Sequence, residues 1–223
     1  MSEPLVNVIR GGRIESIHRG DWVVVDIHGR ILACKGNPVK RTFWRSSAKP
    51  FQAVPTLEAG AKSQFSLTTE EISLFCSSHN GESQHVKTAR GVLQKMGLEE
   101  TALDCGAAQP MLQDAAFETI RRGEAFSALQ NPCSGKHSGM LALCLLKGWP
   151  LDHYISVDHP VQRAMLSAIA NAVSMDEKEI GIAVDGCGVP VFELPLYNMA
   201  LAYARLSQPE SHFKGAALEA ART

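Results

Sequence analysis

The feature that most constrains this chain is a change of hydrophobic pattern at Arg45. Before it, four short segments rich in β-branched residues are separated by tight turns such as Gly11-Gly12 and His28-Gly29. The segments are residues 5–10, 13–18, 21–27 and 30–34. Connections this short suit antiparallel strands, because parallel pairs need long crossovers. The chain up to Arg45 is therefore predicted to form antiparallel β-structure.

After Arg45 the apolar residues follow helical spacing. Helices are predicted over residues 47–60, 69–76, 83–96, 114–121, 135–147, 160–173, 196–206 and 212–222. Two strands, 180–184 and 189–194, flank a turn at 185–188. This order predicts an α+β fold with an antiparallel sheet flanked by helices, in a single domain over residues 1–223.

Composition excludes several classes of protein. With 223 residues, 45% of them hydrophobic, the chain can bury a core without disulfides. A net charge of -1 leaves no basic surface for nucleic acid or an anionic membrane. The longest apolar run, 140–146, is too short to span a bilayer. No secretory signal is visible and the six cysteines lack regular spacing, so we expect reduced thiols and a cytoplasmic location.

The first chemical motif is Ser-x-x-Lys, formed by Ser46 and Lys49 at a predicted helix start. Residues three apart share one face of a helical turn, so the lysine is placed to act as base for the serine hydroxyl. Desolvation and the helix N-terminus would both lower the pKa of such a lysine. The motif also occurs in penicillin-recognising enzymes and other serine amidohydrolases. The alternative is a capping serine beside a solvated lysine.

A second motif, Ser78-His79-Asn80, follows a predicted apolar helix. Serine β-lactamase-like folds present Ser-x-x-Lys and Ser-x-Asn in this order. The spacing here is shorter, however, and no Lys-Thr-Gly follows. The alternative is a polar loop that turns at Asn80-Gly81.

A third motif combines sulfur, amine and imidazole groups. Cys133, Lys136 and His137 share one helical turn, and Cys187 lies on the turn between the two late strands. Chemistry alone favours Zn²⁺ held by Cys133, His137 and Cys187, with Lys136 as a charge partner. Two alternatives stay open: buried free cysteines beside an anion-binding helix start, or a reactive Cys133 thiolate of lowered pKa.

Two charged residues could recognise an amino acid. Arg45 could pair with a substrate carboxylate, and Asp185 could hold a substrate ammonium group. Each residue alone is more often part of a structural ion pair.

Taken together, four segments resemble the Rhizobium etli-type L-asparaginases, also called the asparaginase II group. The segments are RSSAKPFQ at 45–52, SSHNGE at 77–82, NPCSGKHSGM at 131–140 and VDGCGVP at 184–190. The resemblance implies an amidohydrolase that converts L-asparagine to L-aspartate and ammonia. It also implies a fold similar to serine β-lactamases and glutaminases, and a homodimer.

The resemblance also implies roles for single residues. Ser46 and Lys49 match one Ser–Lys tandem, with Ser46 as nucleophile, and Ser78 matches the serine of a second tandem. The metal ligands become Cys133, Lys136 and Cys187, so that Lys136 replaces His137 in a zinc site that would chiefly position the substrate. The remaining residues, assigned to substrate binding, are Arg45, His137, Asp185 and Asn80.

One departure from the family concerns length. Its members are longer, and the lysine that would partner Ser78 lies beyond Thr223, so we expect the domain to lack its C-terminal part. Two other functions therefore stay open. One is a penicillin-recognising serine hydrolase, which the missing Lys-Thr-Gly disfavours. The other is a non-catalytic protein that binds an amino acid or zinc without turnover.

Overall fold

A computed structural model describes residues 2–223 and changes from strands to helices where the sequence pattern does. The first four strands are β1 (Glu3–Arg10), β2 (Arg13–Gly20), β3 (Trp22–Val25) and β4 (Ile31–Lys35). β1 pairs with β2 and β3 with β4, both antiparallel, as the short connections predict. The two pairs form separate two-stranded sheets.

A third sheet combines one strand from the N-terminal part of the chain with two strands from its C-terminal part. It contains β5 (Arg41–Phe43), β6 (Gly181–Val184) and β7 (Pro190–Pro195), with β7 in the centre and both neighbours antiparallel to it. Arg41 is opposite Pro195, and Gly181 is opposite Glu193. The sequence pattern predicts a single antiparallel sheet, but the structure has three small ones. The strands are divided in this way because β5 pairs with β7, far along the chain, and not with β4.

Eight of the nine α-helices described within residues 2–223 lie close to their predicted positions, and the short helix at 61–64 was not predicted. The helices are α1 (Lys49–Glu58), α2 (Ala61–Gln64), α3 (Thr69–Phe75), α4 (Ser83–Lys95), α5 (Gln113–Arg121), α6 (Ser134–Lys147), α7 (Pro160–Val173), α8 (Leu196–Leu206) and α9 (Gly215–Arg222). A 3-10 turn, Arg45–Ala48, precedes α1. Thr68 and Glu71 form a reciprocal capping box that fixes the start of α3. The fold is therefore mixed, with small antiparallel sheets flanked by helices.

The core is organised around α6, in which every residue from Ser134 to Cys144 is buried. α1, α3, α4 and α7 all pack against it. Two glycines on α6, Gly135 and Gly139, face Leu74 and Phe75 of α3, so the two helices approach closely. This contact brings the end of α3 next to the start of α6.

The β1–β2 hairpin, unlike α6, is almost entirely exposed to solvent. All but one of its strand residues are exposed, and the exposed apolar side chains include Val6, Ile9 and Ile14. Across residues 2–223, none of the helices combines the length and the apolar composition needed to cross a bilayer.

The close α3–α6 contact predicts that Gly135→Ala is strongly destabilising. A Cβ at Gly135 would meet the carbonyl oxygen of Leu74 and lie 2.6 Å from Leu74 Cγ, so the helices would have to separate. We expect a loss of about 1–3 kcal/mol or more in the free energy of unfolding, measured by urea denaturation.

Gly91→Ala is the matched control within a helix. A Cβ at Gly91 meets only Glu71 Oε1, at 3.8 Å, and alanine favours helix by up to about 1 kcal/mol. This variant should be at least as stable as the parent. Equal stability of the two variants would contradict the packing described for α3 and α6.

Candidate active site

Four segments that carry the sequence motifs meet beside the start of α6. They are the turn that leads into α1, the loop 77–81 after α3, the loop 131–133 before α6 and the turn 185–188 between β6 and β7. Lys49 contacts both loops, Arg45 contacts Asp185, and Lys136 contacts Cys187. The motifs are far apart in sequence but form one connected group of side chains.

Lys49 is the centre of this group, with its side chain completely buried. Its Nζ lies 2.8 Å from Ser78 Oγ, 3.0 Å from the Ser77 carbonyl oxygen and 3.4 Å from the Pro132 carbonyl oxygen. Burial lowers the pKa of the amine, and the nearby Lys136 charge lowers it further, against the opposing influence of Cys133. A buried lysine of lowered pKa is suited to accept a proton.

The three contacts of Lys49 orient its nitrogen when the amine is neutral. A neutral amine has two N–H donors and one lone pair. Carbonyl oxygens can only accept, so the two N–H groups point to Ser77 and Pro132. The lone pair then faces the Ser78 hydroxyl, which donates its proton to Nζ. The geometry is that of a general base with its serine.

The serine that contacts Lys49 is Ser78, from the second motif. Ser46 is exposed in the 3-10 turn, and its hydroxyl makes no hydrogen bond within residues 2–223. Ser78 and Asn80 are exposed as well, so all three side chains can be reached by a small molecule. The Ser–Lys pair with a direct contact therefore joins two motifs, whereas the sequence predicted the pair within one.

Arg45 and Asp185 are bound to each other, with Arg45 Nη2 2.8 Å from Asp185 Oδ1. The Arg45 side chain is largely exposed, while Asp185 is mostly covered. Arg45 has a φ of 52°, in the left-handed region that is uncommon for a residue with a Cβ. Such conformations are often found at functional sites, and this one directly precedes Ser46.

Two cysteines and a lysine form a cluster next to Lys49, in which Cys187 and Lys136 are buried and Cys133 is half-buried. Lys136 Nζ lies 3.2 Å from Cys187 Sγ. The hydrogen bond from the Cys133 thiol, with further help from the Lys136 charge, lowers the pKa of Cys187. The same hydrogen bond to Cys187, together with burial, raises the pKa of Cys133. The lowered pKa considered for Cys133 is therefore not found, because of the two thiols it is Cys187 whose pKa is lowered.

His137 is fully buried behind this cluster. Its Nδ1 lies 2.6 Å from the Tyr154 hydroxyl, which accepts a hydrogen bond from the Asp104 backbone N–H at 2.8 Å. The hydroxyl oxygen can accept a second hydrogen bond or donate its own proton, so this contact is compatible with either neutral tautomer of His137. Nε2 has no hydrogen-bond partner among residues 2–223.

The donor atoms of the cluster limit which metal-ligand sets it can form. Within residues 2–223, no three His, Cys, Asp or Glu side chains lie together in a way that could hold a metal ion. The set Cys133, His137 and Cys187, which chemistry alone favours, is thus not assembled as a ligand group. Two sulfurs and the Lys136 amine do lie together, and soft thiolate with nitrogen is a donor set that suits Zn²⁺.

Several residues of the site were not predicted. The carbonyls of Ser77 and Pro132 hold Lys49, but a backbone carbonyl has no sequence signature. Tyr154 orients His137 and is completely buried, yet it lies in a segment without a motif. His79 and Ser134 lie inside the motifs, but the sequence assigned roles only to neighbouring residues such as Ser78 and Cys133.

The network behind the cluster predicts that Tyr154→Phe destabilises the protein. The change leaves the Asp104 N–H and His137 Nδ1 without their buried partner, while side-chain volume hardly changes. We expect a loss of about 1–3 kcal/mol in the free energy of unfolding, measured in urea. Tyr203→Phe is the control, because its partly exposed hydroxyl makes one bond, to the Ser47 carbonyl. Equal losses in both variants would contradict this account of His137.

A comparison with protein families matches these motifs to one group. The family model for L-asparaginase II aligns with residues 6–223, which is nearly the whole chain. Among curated proteins, no match to this chain is found. The family is one of amidohydrolases, and its alignment spans all four segments of the site. This chain belongs to the L-asparaginase II family.

Proposed function

We propose that this protein hydrolyses the side-chain amide of L-asparagine to give L-aspartate and ammonia. The observation that carries the proposal is the contact between the buried Lys49 amine and the Ser78 hydroxyl, in a chain of the L-asparaginase II family. This pair supplies a base within hydrogen-bond distance of a hydroxyl that substrate can reach. Serine hydroxyls need such a base to become nucleophilic.

In the proposed reaction Ser46 Oγ attacks the amide carbon of the substrate. The proton of Ser46 passes to Lys49 by way of the Ser78 hydroxyl, whose oxygen lies 2.8 Å from the amine nitrogen. The same proton returns to the leaving nitrogen, so that ammonia departs and an aspartyl ester remains on Ser46. Water then attacks the ester carbon, passes a proton back to Ser46 Oγ and releases L-aspartate.

Recognition of the amino acid is assigned to the Arg45–Asp185 pair. A free α-carboxylate would compete for the Arg45 guanidinium, and a free α-ammonium would compete for Asp185. The opposite charges already face each other at 2.8 Å, so a zwitterion can replace the ion pair without leaving either charge alone. Asn80 and His137 complete the proposed substrate-binding set.

Cys133, Lys136 and Cys187 are proposed to hold Zn²⁺. When bound there, zinc would polarise and position polar groups of the substrate. The donors must lose their protons to bind, since thiolate and neutral amine are the ligating forms. Lys136 and Cys187 already contact each other, which keeps two of the three donors together.

Two of the alternatives can be weighed against this geometry. The non-catalytic alternative rests on the absence of a lysine to partner Ser78, but Lys49 occupies that position. No contact in the site specifically favours a penicillin-recognising hydrolase. The β-lactamase-like and glutaminase-like fold, the Rhizobium etli-type subgroup, the homodimer and the cytoplasmic location remain predictions.

The proposed function is tested by ammonia release from L-asparagine. Ser46→Ala should lower kcat by at least about 1,000-fold, since it removes the nucleophile. Lys49→Met, which removes the amine but keeps much of the side-chain volume, should cost about 100- to 10,000-fold. The neighbouring Ser47→Ala is the matched control, because the Ser47 hydroxyl only bonds the Trp44 carbonyl. Circular dichroism checks that each variant is folded.

The nucleophile is identified by trapping the aspartyl ester with acid and locating it by peptide mass spectrometry. An ester on Ser46 is expected. An ester on Ser78 would transfer the nucleophile's role to that residue. Full ammonia release from Ser46→Ala and Lys49→Met together would contradict the proposed chemistry.

The proposed zinc site predicts that metal content depends on Cys133 and Cys187. Cys133→Ser and Cys187→Ser should lose most of the zinc that the parent retains through gel filtration, as measured by plasma mass spectrometry. Cys34→Ser is the control, because that thiol is exposed on β4 and lies in none of the four segments of the site. Zinc retention should also fall as pH falls, since protons compete for every donor. Equal zinc in all three variants would contradict the assignment.

A further inference from the structure

His79 connects the two loops that hold Lys49. It directly follows Ser78, and only 3% of its surface is exposed. Its backbone N–H donates to the Pro132 carbonyl at 3.3 Å. Its imidazole accepts from the Gly81 N–H at Nδ1, at 3.1 Å, and lies 2.8 Å from Ser134 Oγ at Nε2. One residue thus bonds its own loop, the loop before α6 and the first turn of α6.

The protons of this network follow from its chemistry. A backbone N–H can only donate, so Nδ1 is the unprotonated nitrogen of His79. A neutral imidazole then carries its proton on Nε2 and donates it to Ser134 Oγ. The Ser134 hydroxyl in turn donates to the Leu129 carbonyl at 3.2 Å. Every polar hydrogen in the chain from Gly81 to Leu129 has an acceptor, which requires this one tautomer.

The groups around His79 favour the neutral ring. Its ring centroid lies 5.2 Å from that of His85, and the two rings are stacked. Burial first, and then the proximity of His85 and Lys49, lowers the pKa of His79 to about 4. The proton arrangement required by the hydrogen bonds and the electrostatics of the surroundings therefore agree.

The loops joined by His79 are the ones that supply the hydrogen-bond partners of Lys49. Ser77 and Ser78 belong to the first loop, and Pro132 belongs to the second. The Pro132 carbonyl accepts from both the His79 N–H and Lys49 Nζ. If the loops separate, the two carbonyls no longer orient the amine, and its lone pair is no longer directed at Ser78.

We propose that His79 is a positioning residue for the Ser78–Lys49 pair, acting as a neutral imidazole whose Nε2 proton anchors the Ser78 loop to Ser134. The inference rests on the proposed function for its kinetic consequence, but its geometry stands independently. His79 touches no reacting atom. Its effect is on the orientation of the base and not on the capture of substrate.

The test compares His79→Gln with His79→Leu. The glutamine amide can place an N–H donor near the position of Nε2, whereas leucine fills a similar volume without a donor. We expect His79→Leu to lower kcat for L-asparagine at least about tenfold with less than about a twofold change in KM, since oriented groups lose rate when misplaced. His79→Gln should recover most of the loss. Ser134→Ala should reproduce the leucine defect, and the double variant His79→Leu/Ser134→Ala should add little to it.

A second measurement does not depend on activity. Nitrogen NMR of the ¹⁵N-labelled parent should show the His79 proton on Nε2 at neutral pH. The Lys49 ¹⁵Nζ resonance should shift in His79→Leu and return toward the parent position in His79→Gln. If the parent releases no ammonia but these signals behave as stated, the proposed function fails and the positioning role survives.

The positioning proposal is overturned by any of three results. One is an Nδ1 proton on His79 in the parent. Another is a His79→Gln variant as impaired as His79→Leu when both are equally folded. The third is a kcat that falls only in proportion to the folded fraction, which would indicate a purely structural histidine.

Discussion

The interaction on which the site depends is the burial of the Lys49 amine among three oxygens. An amine taken out of water is costly unless it is hydrogen-bonded, and a charged one costs far more. Here the cost is offset by Ser78 Oγ and the carbonyls of Ser77 and Pro132. Because these hydrogen-bond partners lie on two loops, the fold must hold both loops in place for the lysine to remain buried. Removal of the amine from water is also the main reason why the pKa of Lys49 is lowered.

The start of α6 makes most of the other polar contacts that hold the site together. Its polar side chains are buried, and each forms a hydrogen bond, either with another segment of the fold or with the backbone of α6 itself. Ser134 bonds His79, Lys136 bonds Cys187, His137 bonds Tyr154, and Ser138 bonds the Ser134 carbonyl. Gly135 lies among them and lets α3 approach, so the Ser78 loop reaches Lys49. Packing and polar contacts therefore specify the same arrangement.

Much of the fold could be predicted because it depends on local chemistry. α7 and α8 lie at their predicted residues, since Pro160 favours a helix start and the apolar spacing of 196–206 is regular. The hairpin β1–β2 follows from its glycine turn. The pairing of β5 with β7 could not be predicted, because it joins residues more than a hundred positions apart and no turn sets their register.

The sequence by itself determined which residue types the site contains and where most of the helices and strands lie, because these depend on side-chain spacing and local turns. Only the tertiary structure decided the pairings. Lys49 contacts Ser78 rather than Ser46, the lowered thiol pKa belongs to Cys187 rather than Cys133, and Arg45 is joined to Asp185. These outcomes depend on how distant segments pack around α6. Spacing along the chain carries no information about which buried group will be the nearest acceptor.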